Sequence, residues 1–584
     1  MASAKALPAT DEALHLQRLL REVFDLNAFR PHQAEVCRQV VKGFDVLLVM
    51  PTGAGKSLCY QLPGLARGGA TLVISPLIAL MEDQVAKLQA LGLQAERIHS
   101  GRDRPTSRQV CVRYLQGELD FLYVAPERLA IPGFVEMLAK RRLALIAVDE
   151  AHCISHWGHD FRPEYRLLGQ RLPMLRPAPV IALTATATQR VQDDILLQLD
   201  APAARRHIYG FRRDNLAVEV VEVSRPQRGL VVERLLADPA RLPAIVYAPS
   251  RREAEELGQS LARRHRASAY HAGLEPAARE AIQLQFQRGE LDAVVATIAF
   301  GMGVDKADIR TVIHTALPGS VEGYYQEIGR AGRDGAPARA VLLYSYADRR
   351  THEYFHRQNY PDLHQLQALH KALNQDPQPM DLVRDYLAME EGVFERALEK
   401  LCVHGAAVRD LDGYLVRGEA DDWPTAYQHQ ANHSQAQLDE MFSFAEGGGC
   451  RMVQLVRYFQ DKEDDGQPCG MCDHCAPEAC GARRRRALSD REQRVVACLI
   501  RVLKHRDGQA AGRLHSSVED EIEVDRRTFE RLLSHLAQTG WLRVVEAEFE
   551  KQGRTIPYRR VYLTPKAKEE DINPAALAVV EALG

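Results

Sequence analysis

The chain has 584 residues, 46% of them hydrophobic, a formal charge of −3 and a pI near 6.7. That length suits roughly four domains of about 150 residues each, and the charge excludes a globally basic nucleic-acid binder, so any anion-binding surface must be local. No apolar run reaches the length of a membrane span, the N-terminal M-A-S-A-K-A-L-P-A-T lacks a secretory apolar core, and five of eleven cysteines (450, 469, 472, 475, 480) crowd together, which favours metal over a disulfide framework.

Up to about residue 208, short apolar runs (46–50, 71–75, 120–124, 145–149, 180–184) alternate with helical stretches. This alternation predicts a parallel sheet flanked by helices, with functional loops at the carboxyl ends of the strands. The first run leads into Met50-Pro51-Thr52-Gly53-Ala54-Gly55-Lys56-Ser57. Its glycines let backbone N–H groups approach phosphate oxygens, Lys56 supplies a point charge, and Ser57 can ligate Mg²⁺ at a helix start. Met50 stands where the strict phosphate-loop pattern has glycine, so the match is to the T-G-x-G-K-S core. The run 145–148 ends in Asp149 and Glu150. Adjacent carboxylates at the end of a buried strand are costly unless a metal or a nucleophilic water uses them. Together the two segments predict nucleoside-triphosphate hydrolysis, with Asp149 holding Mg²⁺ and Glu150 orienting or deprotonating water.

A second α/β unit spans about 209–347, with strands expected at 244–248, 293–297, 311–314 and 340–344 and no phosphate loop of its own. Residues 348–378 read as polar and helical. At 379–420, two short helices (381–388, 393–403) precede Val408–Arg417, where Asp412-Gly413 separates two strand-like runs; helix, helix, hairpin is the outline of a winged helix. A polar stretch, 419–449, leads to Cys450, Cys469, Cys472 and Cys475, spaced C-x18-C-x2-C-x2-C. Four thiolates suit tetrahedral Zn²⁺, and the C-x2-C-x2-C part alone would also suit an iron–sulfur cluster. Cys480 reads as a spare thiol. Residues 487–584 repeat the winged-helix outline with a longer hairpin, its tip expected at Lys551-Gln552-Gly553-Arg554 with Tyr558 close by as a base-stacking wedge. Basic clusters stand at 205–207, 212–213, 263–266 and 483–486; the last, at the domain's entrance, is expected to grip the DNA backbone.

Several blocks, in order, resemble the RecQ family of DNA helicases. They are F-R-P-H-Q (29–33), M-P-T-G-A-G-K-S (50–57), S-P-L-I-A-L-M-E-D-Q (75–84), D-E-A-H (149–152), H-W-G-H-D-F-R-P-E-Y (156–165), L-T-A-T-A-T (183–188), F-G-M-G-V-D-K (300–306) and Y-Y-Q-E-I-G-R-A-G-R-D-G (324–335). The resemblance implies two RecA-like lobes (1–208 and 209–347) clamping ATP, a zinc-binding module (348–482) carrying the winged-helix-like insertion, and a winged-helix DNA-binding domain (483–584). The family's small helical domain is not expected in a chain ending at Gly584. The resemblance further implies that Gln33 reads adenine and Arg30 stacks on it, with Leu26 in place of the family's usual aromatic residue. Thr52, Gly53, Gly55, Lys56 and Ser57 would hold the phosphates, and Arg330 and Arg333 would approach the γ-phosphate, which of them is the finger being open. His156, Trp157, Asp160, Phe161 and Arg162 would couple single-stranded DNA to hydrolysis, His156 replacing the usual Gln. The cysteine cluster would hold zinc.

The expected function is ATP-dependent, Mg²⁺-dependent unwinding of duplex DNA with 3′→5′ polarity in repair or recombination. The partners would be single-stranded and duplex DNA, the working unit a monomer, and the location the bacterial cytoplasm beside the nucleoid or a eukaryotic nucleus. An RNA helicase and an ATPase-dead scaffold are the rivals; the aromatic loop and zinc cluster argue against the first. Intact Lys56, Asp149, Glu150, Arg330 and Arg333 argue against the second.

Overall fold

The computed structural model describes residues 9–51, 53–155, 157–158, 162–166, 168–301, 306–410, 413–461, 464–551 and 554–582. The chain divides into two compact units, Met1–Ala479 and Cys480–Gly584.

The first unit holds two all-parallel sheets. One has seven strands in the order Ala95–Ile98, Phe121–Val124, Ala70–Ile74, Leu143–Val148, Val180–Thr184, Val46–Val49, Arg205–Ile208. Its inner strands are covered on both faces, which is why they read as unbroken apolar runs. The other has six strands in the order Ala267–Tyr270, Ala293–Ala296, Ala244–Tyr247, Thr311–His314, Ala338–Tyr344, Leu216–Glu222. The outer strands at 95–98, 205–208, 216–222 and 267–270 were not anticipated. The basic cluster 205–207 belongs to one of them and is structural. Arg205 lies over the Phe44 ring at 3.6 Å, and Arg206 pairs with Asp193 at 2.6 Å.

The polar stretch 419–449 proves to be mostly one helix of 24 residues, Trp423–Glu446. Its buried Trp423, Tyr427, Ala431, Leu438, Met441, Phe442 and Ala445 recur at helical spacing. The C-terminal half of this helix and the helix Arg451–Tyr458 share one core with the second sheet. Phe444 packs on Tyr324, and Phe459 stacks on Phe211 with centroids 4.4 Å apart. Buried Arg451 clamps Asp473 through two bonds of 3.0 and 3.2 Å, tying the cysteine-bearing segment to the same body.

Residues 363–417 form a small winged helix with its own core. Helix Leu363–Ala372 is followed by strand Gln378–Pro379, helices Met380–Leu387 and Glu391–Val403, and strands Ala407–Arg409 and Tyr414–Arg417. The sheet order is first, third, second strand. The second unit repeats this plan: Asp490–His505, Gln509–Ala510, Ala511–Glu519, Arg526–Gln538, then Leu542–Lys551 paired with Arg554–Leu563, in the same sheet order. Its core gathers Val495, Leu499, Phe529, Leu532, Leu533 and Leu536. The hairpin strands are ten residues each, against three and four in the first copy. Tyr558 pairs with Ala547, four residues back from Arg554. At about 3.3 Å per residue it stands roughly 13 Å along the strand from Arg554. Arg483–Ala487 is a strand paired with Ala578–Ala582. Leu411, Asp412, Gln552, Gly553 and the side chains of Arg483 to Arg486, Lys551 and Arg554 lie outside the described part. No helix among the described residues is long and apolar enough to cross a membrane.

Candidate functional site

The strand Val46–Val49 delivers the loop 50–57 to the carboxyl end of the first sheet, and the helix Leu58–Arg67 leaves from it. Gly53 and Gly55 adopt φ of +84° and +85°, which disfavours any side chain. A Cβ at 55 would also lie 2.5 Å from Gln33 Nε2, and one at 53 would lie 3.0 Å from Arg333 Cγ. Gln33 is buried and holds the loop: Nε2 donates to the Gly55 carbonyl at 3.0 Å and the Ala54 carbonyl at 3.3 Å, and Oε1 accepts from Arg30 N at 2.8 Å. Arg30 Nη1 donates to the Gly53 carbonyl at 2.5 Å. In this conformation both residues brace the loop, where the sequence suggested only base contacts. Lys56 Nζ donates to the Met50 and Pro51 carbonyls at 2.9 and 3.2 Å. Burial lowers its pKa, opposed by Glu150 and Asp149. Ser57 stands immediately before the helix, and Thr52 lies outside the described residues.

Asp149 and Glu150 follow the neighbouring strand Leu143–Val148. Burial, reinforced by the Glu150 charge and opposed by Lys56, raises Asp149 to about 7. A carboxylate pair this short of positive charge suits a divalent cation. Asp149 Oδ1 accepts from Glu150 N at 3.0 Å. Glu150 sits at φ 48°, ψ 47°, a left-handed conformation costing a non-glycine residue about 1–3 kcal/mol and typical of functional sites. Its Oε2 is 3.3 Å from His152 Nδ1, which also lies 2.9 Å from Thr184 Oγ1 in the L-T-A-T-A-T block.

Across from the loop, a cavity of about 330 Å³ is lined by Arg30, His32, Gly53, Tyr209, Arg213 and Arg333, among others. It brings the first sheet's loops against residues 332–335 of the second. Arg333 lies against Gly53 and close enough to Lys56 to lower its pKa. Arg330 is buried beside Tyr247 and beneath Gly301 instead. Sequence reasoning missed Arg213, which donates to the Ala331 and Gly332 carbonyls at 2.9 and 3.0 Å, and Asn215, which donates to the Gly332 and Ala336 carbonyls at 2.8 Å. It also missed His32 stacked on Tyr209, centroids 3.9 Å apart, while Leu26 is solvent-exposed. Arg212-Arg213 was visible only as a basic pair; Arg212 in fact chelates Asp464 at 2.5 and 2.8 Å.

The segment after D-E-A-H continues into Trp157, half-buried against the core. Arg162 Nη1 donates to the Pro76 carbonyl at 3.2 Å, inside the S-P-L-I-A-L-M-E-D-Q block. His156, Asp160 and Phe161 lie outside the described residues. In the cysteine cluster, the sulfurs of Cys450, Cys469, Cys472 and Cys475 all lie within 4.8 Å of one another. Tetrahedral Zn–S bonds of about 2.3 Å require sulfurs about 3.8 Å apart, so the set fits. Arg451 N donates to Cys472 Sγ at 3.5 Å, and Cys469 N donates to Cys450 Sγ at 3.1 Å, one of the backbone bonds that, against burial, hold the Cys450 thiol down at about 7.

Three families match this chain: DEAD/DEAH box helicase over residues 30–195, helicase conserved C-terminal domain over 231–335, and RecQ zinc-binding over 413–476. The chain is 46% identical over 331 residues to the ATP-dependent DNA helicase RecQ of Haemophilus influenzae, covering 56% of this chain and 53% of that protein. It is 37% identical over 458 residues to the RecQ of Pasteurella multocida, covering 78% and 61%. Against both, the match spans less than two thirds of the relative's length. It is 36% identical over 467 residues to the probable ATP-dependent DNA helicase RecS of Bacillus subtilis, covering 79% of this chain and 92% of that protein. With both sheets, the cysteine cluster and nearly all of that last relative accounted for, the chain belongs to the RecQ family of DNA helicases.

Proposed function

We propose that this protein is an ATP-driven motor that unwinds duplex DNA with 3′→5′ polarity, in the repair or recombination of DNA. The observation that supports the reading is that Asp149 and Glu150 of the first sheet and Arg333 of the second all lie close enough to Lys56 to act on its charge, with Arg333 packed on Gly53 of the same loop. Lys56 leaves its two carbonyl partners to meet the β- and γ-phosphates. Ser57 and Asp149 would hold Mg²⁺, which would supply positive charge against the phosphates. Glu150, aimed by its left-handed backbone, orients the attacking water and takes its proton. Arg333 arrives from the second sheet, so hydrolysis depends on closure of the cleft; such a finger contributes roughly 10³–10⁵ in rate. The Trp157 loop, leaving directly from the carboxylates, engages single-stranded DNA by stacking, which tolerates any sequence. The four cysteines hold one structural zinc, since four thiolates leave no open position for chemistry.

The test measures strand displacement on duplexes with a 3′ or a 5′ single-stranded tail, alongside ATP turnover with DNA or RNA. Displacement confined to the 3′-tailed duplex, with DNA the better activator, is expected. Displacement of 5′-tailed duplex alone, or stimulation by RNA only, would overturn the reading.

A further inference from the structure

Trp157 is enclosed by residues that none of the helicase motifs contains. The Arg190 guanidinium covers one indole face, 3.3 Å from the ring centroid. His433 meets the ring edge-on, with centroids 5.1 Å apart and planes at 90°, and its Nε2 donates to the Trp157 carbonyl at 3.0 Å. His429, one turn earlier on the helix Trp423–Glu446, is 6.5 Å from the indole. The entry to the loop is also tied: Trp157 N donates to Ser155 Oγ at 3.1 Å, and Ser155 Oγ donates to Asp194 Oδ2 at 2.6 Å. Arg190 and Asp194 share the helix Gln189–Gln198. That helix starts directly after the L-T-A-T-A-T block, whose Thr184 bonds His152 beside Glu150.

We propose that Arg190 and His433 are positioning residues that latch the aromatic loop in the absence of DNA, and that a nucleobase of single-stranded DNA opens the latch by taking Arg190's place on the indole face. The proposal rests on the reading of this loop as the DNA-coupling element. An indole face accepts one flat partner at a time, so a base and a guanidinium compete for it. The base brings a larger stacking surface, and the released guanidinium, on an otherwise exposed residue, is free to meet the phosphate that accompanies the base. His433 holds the loop backbone rather than the ring face, so it sets where the loop rests while Arg190 sets what must be displaced. The move shifts the helix Gln189–Gln198 relative to the loop, and that helix is one bond network away from the hydrolytic carboxylates.

The experiment titrates the full chain with oligo-deoxythymidine. It follows ATP turnover and the Trp157 emission, taken as the spectrum of each protein minus that of its Trp157→Phe counterpart; only two other tryptophans, Trp423 and Trp541, contribute background. Arg190→Ala is expected to lower the half-activating oligonucleotide concentration by about two- to fivefold, the size of one exposed cation–π contact. It should also give, without DNA, the emission that the wild type shows only with DNA. His433→Ala should act in the same direction, and His433→Gln, which keeps an N–H donor, should restore wild-type behaviour. Unchanged half-activation and emission in Arg190→Ala and His433→Ala, with stimulation still lost in Trp157→Ala, would overturn the latch while leaving the coupling role standing. A raised half-activating concentration in Arg190→Ala would overturn it too, by making Arg190 a plain DNA contact. Full stimulation in Trp157→Ala would instead remove the coupling role itself, and the emission of Arg190→Ala without DNA would then decide the latch alone.

Discussion

Arg330 and Arg333 occupy different surroundings, and the difference separates their roles by experiment. Arg333 packs on the phosphate loop, whereas Arg330 is buried in the second sheet's own loops. Arg333→Ala should cut kcat by about 10³-fold or more with little change in melting temperature. Arg330→Ala should lower the melting temperature as well, because it empties a buried site, at a cost of about 1–3 kcal/mol. Steady-state ATPase and thermal melts on both variants check this; equal kcat losses with equal melting temperatures would contradict it. At the same scale, Glu150→Gln should lower turnover by about 10²–10⁴-fold while ATP still binds, and Lys56→Ala should abolish turnover and weaken ATP binding; DNA binding should persist in both. Lys56, Asp149 and Glu150 could be picked out as candidates from residue order, because each of the two short segments that carry them directly follows an apolar strand. The surroundings of Arg213, Asn215 and Tyr209 could not, since each acts through a carbonyl or ring that only the tertiary fold brings near.

Among the elements, the cysteine cluster and the helix before it are the most consequential for stability. The cluster is not a detached finger: Arg451 joins it to Phe444, and Phe444 packs on Tyr324 of the second lobe. Stripping zinc should therefore lower the melting temperature of the whole first unit, not only unfold a small appendage. Small zinc-binding peptides gain about 10–16 kcal/mol of apparent free energy on binding, ample for that effect. Metal analysis should give one zinc per chain, and a strong chelator should reproduce the loss; iron with a visible absorption band would refute it. The helix Trp423–Glu446 escaped the sequence reading because its polar residues outnumber its buried ones, although the 423, 427, 431, 438, 441, 442 and 445 spacing was present. The edge strands Ala95–Ile98 and Arg205–Ile208 escaped for a related reason: charged residues interrupt the apolar run that marks the central strands.

At the scale of the whole molecule, two winged helices of one topology differ in what they present. The helix Glu391–Val403 exposes Glu391, Glu395 and Glu399 along one side, which repels phosphate. The equivalent helix of the second unit opens on exposed Arg526, and its hairpin is more than twice as long. The second unit is the duplex-binding candidate, and the cut that isolates it falls after Ala479. A cut near 486 would leave part of the strand Arg483–Ala487 without its partner at Ala578–Ala582. Residues 1–479 should keep ATPase activity stimulated by single strands but lose duplex affinity and unwinding, measured by fluorescence anisotropy and strand displacement. Undiminished unwinding by the truncated protein would rule this out. The family was legible from the motifs, and so was the repeated helix–helix–hairpin outline. The cross-strand register of the longer hairpin was not, because it is set by pairing along a ten-residue ladder and not by composition.

The long helix Trp423–Glu446 is a strut seated at both ends, its N-terminal part in the core of the first winged helix and its C-terminal half in the core shared with the second sheet. Its C-terminal half is seated with Tyr324 in the second lobe, while nearer its middle His433 touches a loop that issues from the first. A change in the gap between the two sheets would therefore reach Trp157 through that strut, so the cleft and the loop share one mechanical element.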